Sequence, residues 1–297
     1  MSPWNNLAEV ISQTTKSPFT IARHTAVGGG CINEAYRLEG QDGRRYFVKL
    51  NQARQLAMFE AEAEGLREIH HSGSIRTPHV ISCGTAGEQA YLILEHLTLG
   101  RSTPQAMAQL GQDLAQMHRH GHSRFGWHRD NTIGATPQRN EQSDQWSDFW
   151  SQHRLGFQLA LAAQRGYGSS LQKKGDQLIA HIHLFFQDYS PTPSLLHGDL
   201  WSGNYAITDD GVPVVFDPAV YFGDRETDLA MTELFGGFTP AFYQAYQAAY
   251  PLHHGYEQRK TLYNLYHILN HLNLFGSGYL GQAETMLDQL LRHCRQR

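Results

Sequence analysis

Two short apolar segments, each ending in polar side chains, constrain the fold of this chain more than any other feature. They are contained in the stretches LLHGDLWSGN and VVFDP. Asp199 and Asn204 follow the first segment, and Asp217 ends the second. An Asp-Asp-Gly turn at residues 209–211 lies between them, so a hairpin would return Asp217 to the end where Asp199 lies. The sequence therefore predicts that one carboxylate base and two oxygen ligands converge.

This trio suits the transfer of a phosphoryl group from ATP. Such a reaction asks little covalent chemistry of the protein, which must position the groups, orient the attacking hydroxyl and neutralise charge. Mg²⁺ prefers the oxygen ligands that amide and carboxylate side chains supply. We therefore predict Asp199 as the catalytic base and Asn204 and Asp217 as Mg²⁺ ligands, the pattern of the protein kinases. The alternative, three solvated turn residues, does not account for the combined spacing.

The periodicity of apolar residues predicts a strand-rich first part and a helical remainder. Strands are predicted at residues 19–27, 32–38, 46–50, 79–83 and 91–96, with a helix at 55–71. Further helices are predicted at 104–120, 145–165, 171–188, 227–236, 239–249, 256–275 and 281–295. Residues 123–144 are polar without a clear period, which predicts a long irregular loop. The predicted fold is α+β and bilobal, with a β-rich ATP-binding lobe over residues 1–96 and a helical catalytic and substrate-binding lobe over residues 97–297.

Two segments of the strand-rich part are predicted to bind the nucleotide. A run of glycines between two strands lets backbone N–H groups approach phosphates closely, although an ordinary hairpin turn is the alternative. The buried strand YLILEHL runs into a polar connector, which we predict to be a hinge whose backbone binds adenine. The residues concerned are Gly28, Gly29 and Gly30 in the turn and Glu95, His96 and Leu97 at the hinge.

A lysine inside a predicted strand is the candidate for the phosphate-binding cation. Lys49 lies in YFVKL, among residues that would otherwise all be apolar. In kinases a lysine at this place contacts the α- and β-phosphates and pairs with a glutamate of the following helix. Glu62 is the favoured partner, because Leu66 at i+4 places it beside the buried stripe. Glu60 and Glu64 share that helix and remain alternatives.

The composition excludes several classes of function. The formal net charge is −4 with Lys and Arg scattered, so nothing favours binding to nucleic acid or to a membrane surface. No apolar run approaches the roughly 18 residues of a membrane helix, and no secretory signal is evident. Three cysteines do not make a disulfide scaffold, which indicates a reducing cytoplasm.

Histidines cluster in the HRHGH segment, as His118, His120 and His122. Alternate spacing at a helix end does not bring three ligands to one point, and no HExxH or CxxC pattern is present. Surface and cap histidines are therefore the preferred interpretation over a metal site.

The chain resembles the fructosamine kinase (ketosamine 3-kinase) family from about residue 19 to residue 275. The resemblance lies in GGGCINEAY, FVK, MFEAEAEGL, FGWHRDNTIGATPQ, LLHGDLWSGN and FDPAVYFGDRETDLAMTELFGGF. That family is related to the aminoglycoside and choline phosphotransferases. The resemblance implies ATP- and Mg²⁺-dependent phosphorylation of the sugar O3′ of ketoamines, after which the sugar is lost and the amine or protein is deglycated. Bacterial-looking members prefer ribulosamines and erythrulosamines to fructosamines.

The resemblance also implies roles for two residues outside the trio. Asp228, in GDRETDLA, would hold the catalytic loop by accepting backbone hydrogen bonds, as structural support. Cys31 resembles a phosphate-loop cysteine that forms a disulfide between chains on oxidation, and the alternative is a small buried residue without a role. The expected state is therefore a monomer or a redox-dependent homodimer.

A protonated ketoamine requires hydrogen-bonding groups, an acidic residue and an aromatic face. Trp201, two residues after the catalytic base, is predicted to pack on the sugar or its amine, although a core position is the alternative. The remaining candidates lie in FGWHRDNTIG and are Trp127, His128, Asp130 and Asn131.

Two neighbours of the trio depart from the protein-kinase pattern. Gly198 replaces the arginine that contacts a phosphorylated activation loop, and Pro218 replaces the phenylalanine after the metal-binding aspartate. No long activation segment follows, so control by loop phosphorylation is not expected. Two alternatives remain, a kinase for an aminoglycoside, choline or similar amino alcohol and a catalytically inactive nucleotide-binding module.

Overall fold

The computed structural model describes residues 3–28 and 32–296 of the chain. The chain forms two compact units, the first with the residues through Ser102 and also Ala206–Pro218, and the second with Thr103–Tyr205 and the residues from Ala219 onward. No local pattern in the sequence indicates that Ala206–Pro218 belongs with the first unit. The division into domains after residue 96 stays a prediction.

The helices and strands follow the predicted order closely. The helices are α1 (Pro3–Thr15), α2 (Leu56–His71), α3 (Pro104–Met117), α4 (Trp146–Phe149), α5 (Phe157–Gln164), α6 (Ser169–Ala180), α7 (Glu226–Leu234), α8 (Pro240–Ala249), α9 (Tyr256–Phe275) and α10 (Leu280–Arg295). The strands are β1 (Ile21–Val27), β2 (Glu34–Gly40), β3 (Arg45–Gln52), β4 (Val80–Ala86), β5 (Gln89–Glu95), β6 (Asn131–Ile133), β7 (Thr136–Gln138), β8 (Ser194–Leu196), β9 (Tyr205–Ile207), β10 (Pro213–Val215) and β11 (Tyr221–Gly223).

The first unit is built on a five-stranded antiparallel sheet in the order β1-β2-β3-β5-β4. Side chains alternate between the two faces of a strand, and both faces of this sheet are covered. Tyr46, Val48 and Leu50 of β3 pack with α1, whereas the opposite face of the sheet packs against α2. The alternation places Lys49 on the same face of the sheet as α2.

The segment Ala206–Pro218 joins the first unit through backbone contacts. The N–H of Gly100 donates to the carbonyl of Ile207 at 2.8 Å, and the N–H of Asp209 donates to the carbonyl of Thr98 at 3.0 Å. A β-carbon on Gly100 would lie 2.6 Å from the carbonyl oxygen of Thr208, so this approach needs a glycine. Asp217 is thereby brought into the same unit as Lys49.

The second unit is helical and carries the strand pairs β8–β11 and β6–β7. Helix α3 packs closely against α8 at Gly111. A β-carbon there would lie 2.3 Å from the carbonyl oxygen of Phe242, so this approach requires a glycine. Helix α9 is buried along most of its length. Within the described residues, none of the helices combines the length and the apolar character that a bilayer crossing requires.

Two local predictions in the second unit were wrong. The stretch predicted to be an irregular loop contains the β6–β7 hairpin, whose buried polar side chains gave no apolar period. The single helix predicted at residues 145–165 is interrupted by a π-helical segment at Trp150–Gly156. Within that segment the buried Arg154 donates to the carbonyl of Arg139 at 2.5 Å and to Asn140 Oδ1 at 2.8 Å. These partners lie outside the helix, so helical periodicity does not reveal them.

Candidate active site

A buried lysine links two carboxylates in the first unit. Lys49 Nζ lies 2.7 Å from Glu62 Oε1 and 2.5 Å from Asp217 Oδ1, and only 7 % of the lysine is exposed. Of the three glutamates of α2 considered as partners, the one paired with Lys49 is therefore Glu62. Lys49 reaches Glu62 because the side-chain alternation of β3 directs the lysine to the face of the sheet on which α2 packs.

The charges of this cluster depend on one another. Burial lowers the pKa of Lys49, but the negative charges of Asp217 and Glu62 outweigh burial and raise it above its usual value. Burial also raises the pKa of the Glu62 carboxyl, and the positive charge of Lys49 opposes that rise. A lysine in this setting stays protonated at neutral pH, so the cluster keeps a permanent cation.

Asp217 itself adopts an unusual backbone conformation. Its φ of +57° lies in the left-handed region, which few residues other than glycine adopt. Aspartate tolerates this region better than most residues do, and Pro218 fixes the backbone that follows. The side chain is 45 % exposed, so the carboxylate keeps access to solvent while one oxygen contacts Lys49.

In the second unit, Asp199 and Asn204 contact each other. Asn204 Nδ2 lies 2.8 Å from the carbonyl oxygen of Asp199 and 3.3 Å from its Oδ2. The N–H of Asn204 donates to the carbonyl of Trp201 at 2.9 Å, which closes the loop between them. Because both Asp199 atoms are acceptors, the Asn204 amide nitrogen faces Asp199, and the amide oxygen is the atom that could coordinate a metal ion.

The loop that carries Asp199 is fixed by a buried carboxylate on α7. The backbone N–H groups of His197 and Gly198 donate to Asp228, at 2.7 Å to Oδ2 and 2.8 Å to Oδ1. Burial opposes ionisation, yet hydrogen bonds from His118 and Gly198 help to lower the pKa of Asp228 below its usual value. Asp228 is therefore an anion that holds the two residues directly before Asp199.

Gly198 is required at its place by two independent constraints. Its φ is +83°, and a β-carbon would lie 2.0 Å from the carbonyl oxygen of Ala219. The backbone segments at Gly198 and Ala219 are also joined by a hydrogen bond, in which the N–H of Ala219 donates to the carbonyl of His197 at 2.8 Å. An arginine, the residue typical of protein kinases here, does not fit this geometry.

The interpretation of His118 as a surface or cap histidine needs correction. His118 does cap the C-terminal end of α3, but it is fully buried and contacts Asp228 and Tyr246. His120 and His122 are exposed, as expected. Sequence reasoning missed His118 because its partners lie 110 and 128 residues away along the chain, and no local pattern points to them.

The predicted nucleotide-binding residues outside the Lys49 cluster remain untested. Gly28 is exposed, and Gly29, Gly30 and Cys31 lie outside the described residues. The carboxylate of Glu95 accepts hydrogen bonds from Arg76 Nη2 at 3.2 Å and from the N–H of His79 at 3.1 Å. The N–H of Glu95 donates to the carbonyl of His79 at 2.8 Å. Binding of adenine by the backbone of the Glu95, His96 and Leu97 segment stays a prediction.

The predicted substrate residues divide into exposed and buried ones. Trp201 is 40 % exposed, and a β-carbon on Gly203 would lie 2.2 Å from its indole ring, so the ring lies over that glycine. His128 and Asp130 are exposed, whereas Trp127 is buried.

Asn131 is also buried, and both the nitrogen and the oxygen of its amide form hydrogen bonds. Its Nδ2 donates to the carbonyl of Val220 at 2.8 Å, and its Oδ1 accepts from Gln138 and Asn140, each at 2.9 Å. Asn131 is thus the centre of the polar interior of the β6–β7 hairpin. Its predicted contact with substrate, like that of Trp127, would need this packing to open.

Comparisons with known proteins indicate the family to which the chain belongs. The chain matches the sequence model of the fructosamine kinase family over residues 3–293. It is 52 % identical over 292 residues to a probable ketoamine kinase of Synechocystis, with 98 % of each chain covered. It is 43 % identical over 277 residues to the chloroplastic protein-ribulosamine 3-kinase of Arabidopsis thaliana, which covers 92 % of this chain and 83 % of the relative.

Solved structures give the same assignment. A candidate fructosamine-3-kinase of Haemophilus somnus matches with a TM-score of 0.89 and 29 % identity over 97 % of each chain. More distant phosphotransferases match at identities that show the fold alone. The chain therefore belongs to the fructosamine kinase family, has its α+β protein-kinase-like fold and is a phosphotransferase with an alcohol group as acceptor.

Proposed function

We propose that this protein transfers the γ-phosphoryl group of ATP to the 3′-hydroxyl of a ketoamine sugar, with Mg²⁺ as the metal. The observation that carries the proposal is the buried Lys49, which contacts Glu62 and Asp217 at the same time. A family of ketoamine and ribulosamine kinases supplies the substrate class. The 3-phosphate would then leave by elimination, and hydrolysis of the remaining sugar imine would regenerate the free amine.

The first unit supplies the nucleotide-binding groups in this proposal. Lys49 contributes a cation for the α- and β-phosphates, and Glu62 holds that cation in place. The backbone at Glu95, His96 and Leu97 would bind adenine, and the glycines from Gly28 to Gly30 would approach the phosphates. An ion pair on rigid elements gives the lysine a fixed position before ATP binds.

The donor groups of the chain suit Mg²⁺. Asp217 offers a solvent-accessible carboxylate, and Asn204 offers an amide oxygen because its nitrogen faces Asp199. Few protein ligands are expected, since Mg²⁺ usually combines one or two side chains with phosphate oxygens and water. When bound, the metal neutralises charge on the phosphates.

Asp199 is the base of the proposed reaction. Its carboxylate would accept the proton of the sugar hydroxyl as that oxygen attacks the γ-phosphorus and ADP leaves. The contact with Asn204 and the hydrogen bonds from His197 and Gly198 to Asp228 fix the backbone around it. A base held in this way needs no rearrangement when substrate arrives.

Trp201 supplies the aromatic surface for the acceptor. Its exposed indole stands two residues from Asp199, where it can pack on the sugar or on its protonated amine. His128 and Asp130 add exposed polar groups to the proposal. Ribulosamines and erythrulosamines are the proposed acceptors, with fructosamines as slower ones.

A substrate panel tests the proposal. Wild type is expected to transfer phosphate from ATP and Mg²⁺ to ribulosamine, erythrulosamine and fructosamine derivatives of lysine, but not to choline or kanamycin. Asp199→Asn should lower kcat about 10²- to 10⁴-fold. Asp209→Asn, in the exposed turn of the β9–β10 hairpin, is the matched control and should keep full activity. Transfer to choline or kanamycin alone would overturn the ketoamine assignment.

A further inference from the structure

We propose that His118 is a positioning residue for phosphoryl transfer, linking Tyr246 and Arg225 to Asp228 as the neutral tautomer that carries its proton on Nε2. The proposal rests on the function given above. In this proposal a buried series of hydrogen-bonded side chains orients the carboxylate of Asp228. The carboxylate in turn orients the loop that carries Asp199.

The chain of contacts is continuous and excluded from water. Arg225 Nη1 lies 2.9 Å from the hydroxyl of Tyr246, which lies 2.8 Å from His118 Nδ1. His118 Nε2 lies 3.1 Å from Asp228 Oδ2. The exposed fractions are 1 % for His118, Tyr246 and Asp228 and 7 % for Arg225. Side chains buried to this extent depend on one another for their hydrogen bonds.

The chemistry of the two ends fixes the direction of every hydrogen bond. An arginine only donates, and an ionised carboxylate only accepts. His118 must therefore donate from Nε2–H to Asp228, which leaves Nδ1 as an acceptor for the Tyr246 O–H. The Tyr246 oxygen then accepts from Arg225. His118 and Tyr246 each use one donor and one acceptor, and hydrogen bonds aligned in this way strengthen one another.

The far end of the chain is anchored to the backbone. Arg225 also donates to the carbonyls of Tyr250 at 2.9 Å and Pro251 at 2.6 Å, and its guanidinium lies over the Tyr250 ring at 3.6 Å. Arg225 is thus held independently of His118. An immobile donor at this end fixes the Tyr246 hydroxyl, and Tyr246 in turn fixes the histidine ring.

At the near end, the chain determines how Asp228 meets the catalytic loop. Asp228 Oδ2 accepts from both His118 Nε2–H and the His197 N–H, while Oδ1 accepts from the Gly198 N–H. Without the histidine the carboxylate is free to rotate about its side-chain bonds. The two backbone hydrogen bonds then weaken together, and the next residue, Asp199, shifts. A displaced base lowers kcat and leaves the binding of ATP and acceptor largely intact.

The hydrogen-bonded chain from Arg225 to Asp228 also requires a neutral His118 imidazole. Burial lowers the pKa of the His118 imidazole below its usual value, and the positive charge of Arg225 lowers it further. The hydrogen bond and charge of Asp228 and the charge of Asp224 oppose this fall but do not cancel it. A proton on Nδ1 would face the Tyr246 hydroxyl, whose own hydrogen would lose its acceptor. Protonation therefore breaks the chain, because a buried O–H without a partner is costly.

Removal of a single hydroxyl tests the proposal with the full-length protein. Tyr246→Phe keeps the ring and is expected to lower kcat for the ketoamine about 10- to 100-fold, with the KM values for ATP and acceptor within about twofold of wild type. Tyr243→Phe is the matched control. Tyr243 lies on the same helix, α8, but its hydroxyl contacts Thr232 at 3.2 Å, outside the chain, so its kcat should equal that of wild type.

Long-range ¹H–¹⁵N correlation spectra of ¹⁵N-histidine-labelled protein supply a readout that needs no substrate. With His118→Gln used for assignment, His118 is expected as the Nε2–H tautomer in wild type and in both tyrosine variants, because Asp228 only accepts. The Nδ1 resonance is expected to shift only in Tyr246→Phe, which removes the O–H donor to that nitrogen. An Nδ1–H tautomer in wild type, or an unchanged kcat in Tyr246→Phe, overturns the proposal. A wild type inert toward every ketoamine overturns the proposed function instead, and the spectra still report whether the chain exists.

Discussion

The two units hold their functional groups by opposite means. In the first unit Lys49 is fixed by charge, between Glu62 and Asp217. In the second unit the loop before Asp199 is fixed by backbone N–H groups that meet the anionic Asp228. The first arrangement keeps a cation and an accessible carboxylate available for a charged ligand. The second fixes the position of a base through neutral backbone N–H groups.

This difference predicts different consequences when a partner is removed. Loss of one member of a buried ion pair leaves an uncompensated charge, which costs about 3–5 kcal/mol. Loss of an acceptor for buried N–H groups costs about 1–3 kcal/mol for each group left unpaired. Variants of the first unit should therefore lose nucleotide binding and stability together, whereas variants of the second should mainly lose the alignment of the base.

The largest effect is expected at Lys49. Lys49→Met removes the cation that would meet the phosphates and leaves Glu62 and Asp217 facing each other, so kcat/KM for ATP should fall about 10²- to 10³-fold. Steady-state kinetics at several ATP concentrations measure this loss. Lys173→Met, an exposed lysine on α6, is the control and should behave as wild type. An unchanged KM for ATP in Lys49→Met would show that the lysine does not bind the nucleotide.

The next effect concerns the anchor of the catalytic loop. Asp228→Asn keeps the size of the side chain but replaces an acceptor oxygen with an amide that faces other donors, so kcat should fall about 10²-fold through displacement of Asp199. The KM for ATP should change by less than about threefold, in contrast to Lys49→Met. A variant that lost only ATP affinity would erase the proposed contrast between the units.

A smaller effect separates steric contact from backbone strain. Gly198→Ala introduces a β-carbon 2.0 Å from the carbonyl oxygen of Ala219, whereas Gly211, which also has a φ of +83°, has nothing within 4 Å. Gly198→Ala should therefore lower the free energy of unfolding by about 1–3 kcal/mol more than Gly211→Ala does. Urea denaturation of both variants measures the difference. Equal losses would mean that strain alone accounts for the glycine.

The smallest effect, taken per unit of pH, is a pH dependence that belongs to the second unit. Burial lowers the pKa of His267 on α9 to about 3. The unfolded chain then binds a proton below about pH 6.5 that the folded chain does not, so stability falls as pH decreases toward 3, by about 1.4 kcal/mol per pH unit. His267→Gln should lower the slope between pH 6 and pH 4 in urea denaturation by the contribution of His267, whereas the contribution of other buried groups such as His118 remains. The exposed His120→Gln should keep the slope of wild type, and an identical slope in all three would contradict the burial argument.

The same contrast explains what the sequence could predict. Lys49 and Glu62 follow from local periodicity, because a strand of period two and a helix stripe place them on facing surfaces. Asp199 and Asn204 follow from a motif of a few residues. The order of the elements was accordingly accessible, and the family and fold that the motifs indicated are confirmed. The roles of Asp199, Asn204 and Asp217 stay predictions.

The buried contacts that stabilise the second unit are not indicated by any local pattern in the sequence. His118 pairs with a residue 110 positions away, and it has the local context of an ordinary helix cap. The return of Ala206–Pro218 to the first unit and the interior of the β6–β7 hairpin likewise depend on contacts between distant segments. Polar side chains buried through such contacts look like surface residues in the sequence, since only the folded chain satisfies them.

The position of the phosphate on the product tests the central claim most directly. Wild type is incubated with ATP, Mg²⁺ and a ribulosamine of lysine, and the product is examined by ¹H–³¹P correlation spectroscopy. We expect a single new phosphorus signal coupled to the proton on carbon 3 of the sugar, and no such signal with Asp199→Asn. A phosphorus coupled to any other sugar position, or release of inorganic phosphate without a sugar phosphate, would contradict the account.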